Sequence, residues 1–186
     1  MFREKSEVRS RKQTPPAPLK GESFQFSIRK TYWAIVQGAP KEPEARLENW
    51  LVRNEQQNKS YIVEVRSQKS EVRSQKSEVR SQKSKVESIK WAALTYRTLV
   101  RGDRYTLLEV NLETGRHHQI RCQLAAIGCP VKGDLKYGAK RSNPDGGICL
   151  HARQIEFVHP VSKQNICITA PVPDEALWRA LTSQIS

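Results

Sequence analysis

A tandem heptapeptide repeat in the middle of the chain sets the strongest limit on how this sequence can fold. The unit EVRSQKS occurs three times without change and is followed by a degraded copy, so that the copies span 64–70, 71–77, 78–84 and 85–91. Each exact unit supplies a single apolar residue, a valine, whereas a coiled-coil seam needs two apolar positions per heptad. We therefore expect 64–88 to be a solvated insertion in a loop, either unstructured or a frayed single helix.

Much of the positive charge lies outside the segments that can form a core. The 186 residues include 32 Lys and Arg against 19 Asp and Glu, a net charge of +13, and the segments 1–20 and 64–90 each carry +4 of it. Basic chains gain affinity for nucleic acid by releasing its counterions, which favours a polyanionic partner. The alternative is a low-complexity sequence that is basic without function, and a nucleic-acid-binding arm is the less favoured interpretation of the repeat.

Several protein classes do not fit the sequence. No apolar run reaches the roughly 20 residues that a membrane-spanning helix needs, and the basic N-terminus is not followed by the apolar stretch of a secretory signal. We therefore expect a cytoplasmic protein with no membrane partner. The four cysteines show no Cys-x-x-Cys spacing, so we expect reduced, buried thiols and no metal site.

The periodicity of apolar residues predicts an α+β domain with a mixed, mainly antiparallel sheet and few helices. Residues 1–22 are expected to be a basic, Pro-rich segment outside the core, and the domain is expected to occupy 23–186, interrupted at 64–88. Strands are predicted at 24–37, 61–63, 90–100, 105–112, 148–150, 153–158 and 165–170. Helices are predicted at 116–127 and 175–183, whereas 45–52 fits either a short helix or a strand, with Trp50 and Leu51 facing inward.

The stretch 112–152 contains most of the side chains that could bind a ligand or take part in catalysis. Arg116 and His117 fall in the first turn of the predicted helix, where backbone N–H groups point outward, and Arg121 follows one turn later on the same face. Such a strand-to-helix junction suits an anionic ligand. Further basic residues, with an aromatic ring among them, extend this surface at Lys132, Lys136, Tyr137, Lys140 and Arg141. The alternative is a solvated basic helix with capping polar residues.

The same stretch closely resembles the C-terminal motif of the RluA-type RNA pseudouridine synthases. That motif is Thr-Gly-Arg-x-His-Gln-Ile-Arg followed by Gly-x-Pro-x-x-Gly-Asp-x-x-Tyr-Gly, and it falls here on Thr114–Arg121 and Gly128–Gly138. Leu150-His151-Ala152 with Phe157-x-His159-Pro160 matches a second motif, and Lys30-x-Tyr32 with Ala34 and Gly38 matches a third. The resemblance covers about 26–63 and 89–182.

The resemblance implies a pseudouridine synthase catalytic-domain fold, incomplete on its N-terminal side, and a cofactor-free isomerisation of uridine to pseudouridine in ribosomal or transfer RNA. Tyr32 would stack on the target uracil and handle its proton. Arg121 would form the ion pair that holds the catalytic aspartate ionised. The residues expected to bind RNA are Lys30, Arg116, His118, Gln119, Lys132, Lys136, Tyr137 and Lys140.

One family motif has no counterpart in these 186 residues. The family carries its nucleophilic aspartate in His-Arg-Leu-Asp-x-x-Thr-Ser-Gly, upstream of the Lys-x-Tyr strand, and that pattern is absent here. Asp134 is expected to cap local structure rather than to catalyse. We therefore expect this chain alone to be inactive, with the missing acid encoded upstream or supplied by a partner chain, and the sheet to present an unpaired edge. The alternatives are a non-catalytic RNA-binding module and an inactive truncated gene product.

Overall fold

The computed structural model describes residues 28–64 and 89–185, which form one antiparallel sheet with two helices. The sheet order is β3-β2-β4-β5-β1-β6-β7, and every pairing within the described residues is antiparallel. The strands are β1 Arg29–Gln37, β2 Glu44–Asn54, β3 Lys59–Val63, β4 Lys90–Arg101, β5 Tyr105–Leu112, β6 Leu150–Val158 and β7 Asn165–Thr169. The helices are α1 Gln119–Ala126 and α2 Ala176–Thr182, with one turn of 3-10 helix at Leu135–Tyr137.

Strand β1 lies inside the sheet, between β5 and β6, and the second half of the strand is buried on both faces. Ala34, Ile35 and Val36 are fully buried, because successive side chains point to opposite faces and each face carries its own cluster. One cluster joins β1, β4 and β5 to Ile120 and Leu124 of helix α1. Helix α1 therefore covers the face that also carries the side chain of Tyr32.

The opposite face of the sheet is covered by helix α2. Trp178 and Leu181 of this helix are buried against Ile35 of β1 and Leu107 of β5. Burying a large apolar side chain stabilises the fold by about 1.5–3 kcal/mol. The sheet therefore has one helix packed on each of its faces.

The predicted class is confirmed, and the bounds of its elements differ in a few places. Residues 45–52 belong to a strand, and the two short strands predicted at 148–150 and 153–158 are one continuous strand, β6. The expectation that Trp50 faces inward is wrong, because Trp50 is 41% exposed, whereas Leu51 is buried. Alternation along β2 puts these neighbours on opposite faces.

Two predicted segments lie wholly or largely outside the described residues. These are the Pro-rich segment at 1–22 and the repeat insertion at 64–88, of which only Glu64 is described. The described β3 and β4 flank the repeat on either side. No helix of the described part of the chain is long and apolar enough to cross a membrane.

Candidate active site

A buried ion pair lies within the stretch 112–152. Arg121 of α1 donates from Nε to Asp134 Oδ2 at 2.6 Å and from Nη2 to Asp134 Oδ1 at 2.7 Å. The Asp134 side chain is 1% exposed and that of Arg121 is 18% exposed. The hydrogen bonds to Asp134 raise the pKa of Arg121, so the guanidinium stays charged. This geometry corrects the expectation for Asp134, whose side chain makes no capping bond and instead holds Arg121.

His118 accepts a hydrogen bond from the same guanidinium. Its Nε2 lies 2.9 Å from Arg121 Nη1, which can only donate, so Nε2 must accept and the ring proton sits on Nδ1. Nδ1 in turn lies 3.1 Å from the hydroxyl oxygen of Tyr137. Burial, followed by the charge of Arg121, lowers the pKa of His118 to about 4. His118 is therefore neutral at physiological pH.

The helix begins later than predicted, and this moves two site residues. Helix α1 starts at Gln119, so Arg116 and His117 lie in the preceding loop rather than in the first turn. His118 occupies the N-cap with φ of 50°, a left-handed conformation, and makes no side-chain capping bond. The Thr114 hydroxyl, in the loop before the helix, donates to Gln119 Oε1 at 2.8 Å.

Gln119, one of the residues expected to bind RNA, makes its side-chain hydrogen bonds inside the protein. The residue is 2% exposed. Its Oε1 accepts from the Thr114 hydroxyl and the Arg116 N–H, and its Nε2 donates to the Ala93 carbonyl at 2.9 Å. These bonds connect the loop before α1 to strand β4, so Gln119 stabilises the conformation of that loop.

Tyr137 is likewise buried, at 9% exposure, which contradicts its expected role as an exposed stacking ring. Its hydroxyl accepts a hydrogen bond from the Ser60 N–H at 2.8 Å, in addition to the contact with His118. The cation of Arg121 lies 4.9 Å from the ring centroid. The Tyr137 ring therefore packs against the guanidinium of the ion pair, and its hydroxyl links the pair to strand β3.

Strand β3 and the turn before it supply site residues that the sequence did not reveal. The Ser60 hydroxyl donates to the His117 carbonyl at 2.7 Å and lies 2.9 Å from His117 Nδ1. Asn58 Oδ1 lies 3.0 Å from His117 Nε2. Lys59 Nζ lies 5.2 Å from the Tyr137 ring centroid. A polar residue in a short strand carries no sequence signal of this role, because its partners lie more than fifty residues away in the chain.

An open depression of about 540 Å³ adjoins this network. It lies between strand β3, helix α1 and the 3-10 turn, and its lining includes Lys59, Ser60, Cys122, Lys136 and Tyr137. Lys136 crosses it, donating from Nζ to the carbonyls of Gln57 and Asn58 at 3.3 and 3.2 Å. Lys136 is exposed, and its contact with RNA stays a prediction.

The other predicted RNA-binding residues are dispersed. Lys30 is exposed at the start of β1. Lys132 lies on the far side of the sheet, with Nζ bound to Asn143 and 5.9 Å from the Tyr105 ring centroid. Lys140 is exposed, and its backbone N–H is bound to Gln37 at the end of β1. The structure thus groups Arg121, His118, Tyr137 and Lys136, but not these three lysines.

Tyr32 occupies the middle of β1, opposite Val110 of β5 and Ala152 of β6. It packs, partly buried, against the cluster that contains Ile120 of α1, the residue directly before Arg121. The register of β1 against β6 shifts between Thr31 and Tyr32. Tyr32 and the helix that carries Arg121 therefore lie on the same face of the sheet.

Sequence comparisons identify the family. The family model described as RNA pseudouridylate synthase matches residues 21–126. An uncharacterized RNA pseudouridine synthase of Synechocystis is 43% identical over 89 residues, covering 44% of this chain and 31% of the relative. Ribosomal large subunit pseudouridine synthase D of Nitrosomonas europaea is 41% identical over 104 residues, covering 50% of this chain and 30% of the relative. The chain spans about a third of the length of these curated relatives.

Solved structures show the same fold. The human RNA pseudouridylate synthase domain containing 1 superposes with a TM-score of 0.57 at 23% identity, over 82% of this chain and 58% of the human one. The human domain containing 4 gives a TM-score of 0.56 at 21% identity, over 79% and 59% of the two chains. With the family match over more than half of its residues, the chain belongs to the RNA pseudouridylate synthase family.

Proposed function

We propose that the chain binds RNA and forms the Arg121 side of a uridine-isomerising site. The observation that carries this proposal is the fixed guanidinium of Arg121, which Asp134 and His118 hold on the same sheet face as Tyr32. In this proposal Tyr32 stacks on the target uracil, which must leave its base stack to reach the site. The RNA itself is ribosomal or transfer RNA, as the family resemblance implies.

The hydrogen bonds of Arg121 leave it able to bind one more acid. A guanidinium has five N–H donors. Asp134 takes one from Nε and one from Nη2, and His118 takes one from Nη1. One donor on each terminal nitrogen remains, and each can bind an oxygen of a carboxylate or phosphate. Arg121 can therefore hold a catalytic carboxylate while keeping its bonds to Asp134.

Asp134 is a poor candidate for the nucleophile itself. Its side chain is 1% exposed, and both of its oxygens already accept hydrogen bonds from Arg121. A nucleophilic carboxylate must reach the sugar or base that it attacks. We infer that the nucleophile comes from a polypeptide segment outside these 186 residues, upstream or in a partner chain. This chain alone then does not convert uridine to pseudouridine. Asp134 then acts as a positioning residue.

Tritium release from RNA labelled at C5 of uridine tests this proposal. We expect no release by the purified chain, because within residues 28–64 and 89–185 the only carboxylate bonded to Arg121 is that of the buried Asp134. We expect release when the chain is co-expressed with the N-terminal part of the Synechocystis relative, the part that precedes the matched region. Arg121→Gln should abolish that release, whereas Arg101→Gln, at the far end of β4, should not. Turnover by the wild-type chain alone would refute the need for an outside nucleophile.

A non-catalytic RNA-binding module is the second candidate, favoured by the absence of the His-Arg-Leu-Asp pattern. It predicts RNA binding without turnover even in the co-expressed pair. If the chain is instead a truncated product without a stable role, we expect no RNA binding, no turnover and no cooperative thermal transition. The same tritium assay, one binding titration and one thermal melt therefore separate the three.

A further inference from the structure

A second depression of about 220 Å³ lies beside the candidate active site and carries a different chemistry. It is formed by the ends of β2 and β3, the start of β4 and the loop before α1. Its lining includes the basic side chains of Arg53, Lys90 and Arg116 and the ring of His117, and none of the described lining residues carries a carboxylate. Ser60 lines both depressions, so the two are adjacent.

The hydrogen bonds of Arg116 leave the two terminal nitrogens of its guanidinium available to a ligand. Its Nε donates to the Trp91 carbonyl at 2.9 Å, and its backbone N–H donates to Gln119. These bonds fix the side chain, yet within residues 28–64 and 89–185 the two terminal nitrogens make no hydrogen bond or ion pair. Arginine in this state presents a planar pair of donors that fits a phosphate oxygen pair.

Lys90 adds a second charge, and the neighbouring acid is neutralised elsewhere. Lys90 is exposed at the start of β4, and its ammonium makes no ion pair with any described residue. Glu113, in the same connection as Arg116, accepts at 2.7 Å on each oxygen from Arg46, so its charge is already paired. Among the described residues, the charges of Arg116 and Lys90 are therefore not paired with a carboxylate.

The loop leaves room for a ligand to approach. Gly115 lines the depression, and a Cβ atom built on it would meet nothing within 4 Å. A small polar cavity with one fixed and one exposed cation suits a compact anion.

We propose that this depression is a phosphate site that binds one phosphodiester of the RNA backbone through Arg116 and Lys90. This inference rests on the proposed function, and it deepens it by naming where the strand is anchored. Since Ser60 joins the two depressions, the bound phosphodiester lies next to the nucleotide held at the Arg121 site. Such a contact fixes the position of the strand without reading its sequence.

The test measures binding of a fluorescein-labelled oligouridine to the full chain across a salt series. For single strands, the logarithm of affinity falls against the logarithm of salt concentration with a slope of about −0.7 per neutralised phosphate. The double variant Lys90→Gln with Arg116→Gln should reduce the magnitude of that slope by about 0.7. The matched control is Arg101→Gln with Lys41→Gln, which removes one charge at the far end of β4 and one before the start of β2 and should leave the slope unchanged.

The single variant Lys90→Gln guards against misfolding, because Lys90 is exposed and Arg116 is bonded to Trp91. At low salt it should weaken binding by about threefold relative to Arg101→Gln. Equal slopes and affinities for the pocket variants and their controls would overturn the phosphate site while leaving RNA binding intact. A wild-type affinity that does not depend on salt would instead overturn the proposed function itself.

Discussion

The carboxylate of Asp134 accepts two hydrogen bonds from the guanidinium of Arg121, at 2.6 and 2.7 Å, and is almost completely buried. Arg121 sits on helix α1, whereas Asp134 lies in the loop that follows it. A loop and a helix are thereby joined by a charged contact rather than by apolar packing. The pair fixes the direction of Arg121, and the rest of the site is built around that direction.

Asp134→Asn should destabilise the protein more than any other single amide replacement of an aspartate. It leaves the charge of Arg121 partly buried and uncompensated, which costs about 3–5 kcal/mol of the free energy of unfolding. Urea denaturation at pH 7 measures this. Asp103→Asn is the control, because Asp103 is exposed in a turn and should change stability by less than about 0.5 kcal/mol.

A double-mutant cycle separates the ion pair from other effects of the substitution. Removing both charges, with Asp134→Asn and Arg121→Gln together, should cost clearly less than the sum of the two single losses, because neither charge is then left unpaired. Strict additivity of the two changes would show that the contact contributes nothing specific.

The local pattern of the sequence predicts the elements of this fold well, but not the site. Strand β5 and helix α2 were predictable because their apolar periodicity is local. The contact of the Ser60 N–H with the Tyr137 hydroxyl joins residues 77 positions apart, and only the sheet order brings them together. Periodicity cannot report such a pairing.

The same limit explains why three predicted site residues changed roles. Gln119 and Tyr137 are polar residues in a basic stretch, which indicates a surface, yet both are buried with their polar atoms bonded inside the protein. Asp134 was expected to cap local structure because it occupies the Gly-Asp position of the family motif. The burial of a polar group depends on its distant partners, so composition and spacing could not supply it.

Tyr137→Phe isolates the hydrogen bonds of the buried ring. The substitution keeps the ring but removes the oxygen that accepts from the Ser60 N–H and faces His118 Nδ1. A buried donor left without an acceptor costs about 1–3 kcal/mol, so the free energy of unfolding should fall by that amount. Tyr105→Phe removes a hydroxyl with no hydrogen bond among the described residues and should have little effect. Equal losses for both would contradict the assigned role.

His118 should make the protein less stable as the pH falls from about 6.5 towards 4. Its pKa is lowered from 6.5 to about 4 in the folded protein, chiefly by burial. Between those values the unfolded chain binds a proton that the folded one does not, so stability decreases as the pH falls through this window. His118→Asn should therefore lose less stability between pH 7 and pH 5 than the wild type does.

Asparagine is the suitable replacement because it tolerates the left-handed backbone at this position better than other residues. The control is His159→Asn, which also removes one imidazole but should keep the acid sensitivity of the wild type. Thermal melts at several pH values, each compared with the same variant at pH 7, give the slopes. Identical slopes for the wild type and His118→Asn would contradict the lowered pKa.

Cys167 should be the one cysteine of the four that reacts quickly with a thiol reagent in the folded protein. Cys122, Cys129 and Cys149 are buried, and burial raises the pKa of each thiol, which disfavours the reactive thiolate. Cys167 is exposed on β7, which corrects the expectation that all four are buried. Titration with Ellman's reagent should release one equivalent rapidly, and Cys167→Ser should remove that phase. A fast phase that persists in the variant would show that a buried thiol opens to solvent.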